Sequence, residues 1–226
     1  MRHTIIGLSA LACLAMVSVA NGAIEMSLPA VRAGTYYDSG VFATSLPFVS
    51  RDTTTSYPYV FRNWFTFDLS TLSKPVQSAV LWVDVQTFIS EKGDRETLAL
   101  HQIALDPDKL GNGDSADYYR DLGDDGPSGP YGSREFGPGD VGTLLPITLS
   151  AGAVADLNIR LGAGQDFEIG GTLASDDGTS TQYLIFGPVL PTLTVRPVPE
   201  PATIIIWSLL GALGIAVGVY RRRKAA

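Results

Sequence analysis

The chain has almost no thiol or imidazole chemistry: one cysteine, Cys13, and two histidines, His3 and His101, in 226 residues. Cys13 and His3 fall among the first 23 residues, so 24–196 carries no thiol and one imidazole. Disulfides cannot brace that stretch, and its stability must come from packing. A zinc site uses three or four protein ligands, usually His or Cys, and this inventory cannot fill one without unusual carboxylate help. A Ser-His-Asp triad has one histidine to draw on, and no Gly-x-Ser-x-Gly elbow occurs. His101, in TLALHQIAL, shares the parity of Thr97 and Ala99, opposite Leu98 and Leu100, and reads as a solvent-facing or turn-satisfied strand residue. Positive charge is scarce as well. The chain has 16 Lys and Arg against 23 Asp and Glu; five of those cations and one acid lie outside 24–196, which leaves 11 against 22 and a net charge of −11. A body this acidic is repelled by nucleic acid and by anionic surfaces unless divalent cations bridge them, so no nucleic-acid partner is expected.

What the body lacks, the ends supply. The tail reads Val198-Pro199-Glu200-Pro201, then the uncharged run 202–220, then Arg221-Arg222-Arg223-Lys224. A helix of about 20 apolar residues crosses roughly 30 Å of hydrocarbon. Lys and Arg resist translocation, so the four cations act as a stop on the cytoplasmic side of the inner membrane and everything before Pro199 lies outside it. The front agrees: Arg2 and His3, the apolar stretch 5–19, then the small residues Ser18, Ala20, Gly22 and Ala23 read as a secretory signal peptide. Cleavage after Ala20, Gly22 or Ala23 fits, with the Sec translocon and signal peptidase as partners. The expected organisation is a signal peptide at 1–23, an extracytoplasmic domain at 24–196 and a C-terminal signal at 197–226. About 173 residues suit one domain with a sizeable core.

Within 24–196 the patterning is that of strands. YPYVFRNWFTFDLS places Tyr59, Phe61, Phe65 and Phe67 on one parity, with Asn63 the exception, and Val60, Arg62, Trp64 and Thr66 on the other. A second long strand is expected over 76–89, and shorter ones over 97–103, 144–149, 167–174, 181–186 and 190–195. One helix is expected at 151–161, capped by Ser150 and ended by Gly162. The Gly- and Asp-rich stretch 106–139 reads as a long surface loop. Many short strands between turns point to an all-β sandwich or barrel.

Two resemblances follow from these residues. The order Pro-Glu-Pro, short apolar helix, Arg-rich terminus over 198–224 resembles the PEP-CTERM sorting signal of Gram-negative bacteria. That resemblance implies recognition of Pro199, Glu200 and Pro201 by the membrane peptidase exosortase, followed by transfer to the envelope or export, often in bacteria that make exopolysaccharide and biofilm matrix. The blocks FRNWFTFDLSTL…VQSAVLWV, YGSREF and FEIGGTLAS…QYLIFG resemble other secreted proteins with the same tail, and the first block also resembles carbohydrate-binding-like modules of bacterial surface proteins. The implied fold is a single jelly-roll-like antiparallel β-sandwich with one short helix, between a signal peptide and a transmembrane helix. Neither resemblance brings a catalytic residue with it.

The chemistry open to the body is therefore mainly binding. Trp64 with Arg62 is a candidate glycan contact, because indole faces stack on pyranose rings while a guanidinium bonds hydroxyls. Asp106, Asp108, Asn112, Asp114 and Asp117 offer calcium hard oxygens, although their spacing matches no calcium motif and no cofactor is otherwise expected. Asp68 and Asp84 are the acids set in apolar sequence. Asp68 reads as a turn acid bonding the backbone near Ser70, and Asp84 as the polar face of a half-exposed strand. The expected protein is non-catalytic, structural or exopolysaccharide-associated; the alternative is a glycan hydrolase or lyase using Asp68 or Asp84.

Overall fold

Strand β4 (Tyr59–Phe67) shows how this sequence makes a sheet. Phe65 and Phe67 are fully buried on one face, as the alternation requires, and each such side chain contributes roughly 1.5–3 kcal/mol by leaving water. In the computed structural model, which describes residues 24–44, 47–52, 59–91, 95–104, 110–111, 116–122, 129–174, 181–187, 189–198 and 201–224, Glu25–Arg196 forms one compact unit.

That unit is an all-β assembly of antiparallel strands. Before β4 come β1 (Met26–Tyr37), β2 (Phe42–Thr44) and β3 (Phe48–Asp52); after it come β5 (Val76–Ser90) and β6 (Glu96–Gln102). The remaining strands are β7 (Gly132–Phe136), β8 (Thr143–Thr148), β9 (Phe167–Leu173), β10 (Gln182–Phe186) and β11 (Thr192–Pro197). Pairing runs β1, β11, β5, β10, β3, β4 and back to β1, so six strands close a circuit. Strands β9, β6 and β7 extend from β4, β2 lies beside β1, and β8 pairs with β5.

Two long strands each serve two neighbours in turn, and the switch in β1, whose partners β11 and β4 both lie on the circuit, closes it. β1 pairs with β11 through Met26 to Pro29 and with β4 from Ala30 to Tyr37, with a register shift between Ala30 and Arg32. β5 pairs with β8 from Val80 to Val85 and with β10 from Val85 to Ser90. Its odd positions Ala79, Leu81, Val83 and Val85 are buried, while Trp82 and Asp84 between them are half-exposed. The main core gathers these residues with Phe65, Phe67, Leu98, Leu100, Phe136, Phe167, Ile169 and Phe186. An edge-to-face contact of Phe65 with Phe186, ring centroids 6.0 Å apart, ties β4 to β10 across it.

Three expectations need correction. The helix expected at 151–161 forms as Ala151–Ala163, running through Gly162 and ending two residues later than expected. Ser150 caps it as expected, its hydroxyl accepting from Ala153 N at 3.2 Å. The stop is Gly164, whose φ of +66° is left-handed and whose N–H turns back to Leu161 O. The stretch 106–139, expected to be a surface loop, contains strand β7 paired with β6, and the short helix α1 (Ala116–Asp121). Finally, β1, β2 and β3 lie where no strand was expected. The capped helix, α2 (Ala151–Ala163), packs on β5 and β9, with Ala153 and Leu157 buried and Asn158 bonding Val76 through both N–H (2.7 Å) and C=O (2.9 Å).

The second unit contains helix α3 (Pro201–Lys224). Its side chains Trp207, Leu210, Leu213, Ile215, Val217 and Tyr220 are all exposed. Among the described residues no helix meets both the length and the apolarity of a membrane span. The side chains at 201–206, 209, 219 and 221–224 lie outside that description.

Candidate functional site

The side of the β1, β4, β9 and β6 sheet that faces away from the main core carries a second cluster. Tyr36, Trp64, Ile103, Leu110, Tyr118 and Leu122 are buried together, with Phe42 and Tyr119 packed against them. The parity of β4 puts Trp64 on this side, and segments 110–111 and 116–122 cover it. Glycines make the fit possible. A Cβ on Gly34 would sit 2.8 Å from Trp64 Cζ2, and one on Gly111 would sit 2.8 Å from the same atom. Gly170, opposite Trp64 in register, lies so close to the Leu122 backbone that a Cβ would come within 2.9 Å of its carbonyl oxygen. Gly111 also holds φ +78° and donates its N–H to Tyr36 Oη at 2.8 Å. Tyr36 stacks on Tyr118 with centroids 6.0 Å apart.

This geometry corrects the reading of Trp64 as a glycan contact. Trp64 is 2% exposed, so it has no ring face to offer a sugar. Its Nε1 is buried without a hydrogen-bond partner among the described residues. The cover comes from residues far along the chain, which strand parity cannot foresee. Arg62, two positions earlier on the same face, stays half-exposed. Its guanidinium lies 4.3 Å from the Tyr119 ring centroid, and Nη1 donates to the carbonyls of Tyr119 (2.8 Å) and Arg120 (3.3 Å).

Arg62 also borders an opening. It lies between Phe61, the last residue of β4 paired with β3, and Asn63, the first paired with β9. There a cleft of about 180 Å³ is lined by Ser50, Val60, Phe61, Arg62, Thr172, Leu173 and Ala174. Ser50 is 1% exposed, and its Oγ has no hydrogen-bond partner among the described residues. Thr172 Oγ1 is hydrogen-bonded to His101 Nε2 at 2.8 Å. His101 is therefore correctly placed by parity, on the face opposite Leu98 and Leu100, but it is buried and side-chain-bonded rather than solvent-facing. Glycines within strands, Gly34 in β1 and Gly170 with Gly171 in β9, are the sequence signal for such close approach.

The remaining candidates are dispersed. Asp68 accepts from Ser70 N at 2.7 Å, and the Ser70 backbone N–H, then its hydroxyl, hold the carboxyl below the usual carboxylate range. Asp84 sits half-exposed on the outward row of β5 and accepts from Gln86 Nε2 at 2.8 Å. Of the five proposed calcium donors, Asp106, Asp108, Asn112 and Asp114 lie outside the described residues. Asp117 forms an ion pair with Arg120 one helical turn on. No group of three or more metal-ligating side chains occurs among the described residues. Of the residues expected to form a sorting signal, Pro199 and Glu200 lie outside the described residues, Pro201 opens α3, and Arg221, Arg222, Arg223 and Lys224 fall in its last turn.

No protein-family model matches the chain, and no curated protein matches it.

Proposed function

We propose that this is an exported bacterial envelope or matrix protein, routed by its C-terminal signal and processed by exosortase, whose β domain associates with exopolysaccharide without catalysing a reaction. The observation that carries the reading is the order of the tail: Pro199-Glu200-Pro201, an uncharged run over 202–220, and Arg221-Arg222-Arg223-Lys224. Helical backbone from Pro201 to Lys224 and exposed large apolar side chains from Trp207 to Tyr220 support a membrane hold, because such a surface is costly in water and at no cost in lipid. The leader at 1–23 supplies the route outward through the Sec translocon and signal peptidase. For the body we propose a jelly-roll-like sandwich, supported by the antiparallel pairings and by strands β1 and β5 that pass from one neighbour to another. A non-catalytic role accords with a lone imidazole already engaged by Thr172.

Intact mass and C-terminal peptide mapping of the protein purified from envelope and from medium test the route. The expected result is a chain ending near Pro199 to Pro201, without the helix and its basic terminus. A mature protein that still ends at Ala226 would refute exosortase processing and leave a plain membrane-anchored surface protein.

A further inference from the structure

We propose that the cleft beside Arg62 is a binding site for a single neutral pyranose ring. The inference rests on the saccharide-association reading above and gives it a location distinct from Trp64. Its first support is Ser50. A buried hydroxyl left without a partner costs about 1–3 kcal/mol, and a ligand hydroxyl in the cleft would supply what the protein does not. The second is Thr172, held in place by His101 at 2.8 Å. A hydroxyl has one donor and two acceptor sites, so that single bond leaves Thr172 Oγ1 capacity to spare.

Arg62 adds a fixed cation. Its Nη1 is committed to two backbone carbonyls and its plane to Tyr119, so binding would cost little further side-chain entropy. Phe61, half-exposed at the cleft, adds apolar surface for the C–H face of a ring. Alternating hydroxyl and apolar groups match a sugar, which presents the same alternation. Size restricts the occupant: about 180 Å³ is below the roughly 300–1,000 Å³ that encloses drug-sized ligands, so one ring enters and a chain segment does not. Charge restricts it further, because a body with 22 acidic and 11 basic residues repels polyanions.

The test is ligand-observed NMR and titration of the full chain in detergent with methyl glucoside, methyl galactoside, methyl mannoside and glucuronate. Wild type is expected to bind at least one neutral glycoside. Ser50→Ala, which removes a partnerless hydroxyl and should fold normally, is expected to weaken that binding roughly 3- to 10-fold, and Thr172→Val to weaken it similarly. Equal affinity in wild type and Ser50→Ala, or a preference for glucuronate, would overturn the proposal. Retention of the chain on its native polysaccharide separates the two levels of inference. Retention unchanged by Ser50→Ala sinks the cleft and keeps saccharide association, whereas no retention and no glycoside binding sink both.

Discussion

Gly111→Ala is the sharpest test of how Trp64 is covered. Two costs arise at one added methyl group. The residue holds φ +78°, and a side chain in the left-handed region costs about 1–2 kcal/mol. The new Cβ would also stand 2.8 Å from Trp64 Cζ2 and 3.1 Å from Cη2, against a ring that is itself buried and backed by Gly34. Forcing such an overlap in a packed cluster costs about 1–3 kcal/mol. The expected loss is therefore about 2–5 kcal/mol, a large fraction of a typical folding free energy of about 5–15 kcal/mol. Gly142→Ala is the control, because it shares φ +78° but has open space around its Cβ, and should cost only about 1–2 kcal/mol. Gly34→Ala isolates the other term, since its Cβ meets Trp64 Cζ2 and Phe42 Cε2 at 2.8 Å without a left-handed backbone. Urea titration followed by tryptophan fluorescence and by circular dichroism gives all three values. For a domain of this size each kcal/mol also lowers Tm by roughly 2–4 °C. If Gly111→Ala costs no more than Gly142→Ala, segment 110–111 does not close over Trp64, and the indole becomes available to a glycan after all.

Two further outcomes follow from α2 and its contacts. Tyr131 is buried and its hydroxyl donates to Asp156 Oδ2 at 3.0 Å; burial first, then the Asp156 charge, raise its pKa above the ordinary tyrosine value. A raised folded-state pKa means stability present below the unfolded value, near 10, and lost as pH rises beyond it, by at most about 1.4 kcal/mol per pH unit. Tyr131→Phe should lose the Asp156 bond at neutral pH yet show a shallower alkaline decline, checked by urea midpoints between pH 8 and 11; an unchanged decline would mean Tyr131 ionises freely. Asn158→Ala removes both bonds to the Val76 backbone and should cost about 1–3 kcal/mol, with faster amide exchange at Val76. Asn158→Asp, which keeps the acceptor and loses the donor, should cost less, and equal losses would assign the effect to packing.

The parts of the fold that were legible share a physical property: one face of each element is buried and the other is not. β5 alternates because Ala79, Leu81, Val83 and Val85 meet the core while Trp82 and Asp84 do not, and α2 declares itself through Ser150 because a helix start needs an acceptor. β1 hides for the opposite reason. Ala33, Gly34, Thr35 and Tyr36 are buried in succession, Ala33 and Thr35 on the core side and Gly34 and Tyr36 beneath 110–111 and 116–122, so period two disappears from the sequence. The same cover misled the reading of Trp64, whose parity was right and whose exposure was not. Asn63, the polar exception on the aromatic row of β4, is fully buried against Gly171, where a Cβ would stand 2.2 Å from Asn63 Oδ1. It faces the core because its partner strand leaves room there. The candidate site was legible only through Arg62, because the cleft depends on where β3 and β9 each stop pairing with β4, and register is a property of strands in pairs rather than of any one segment.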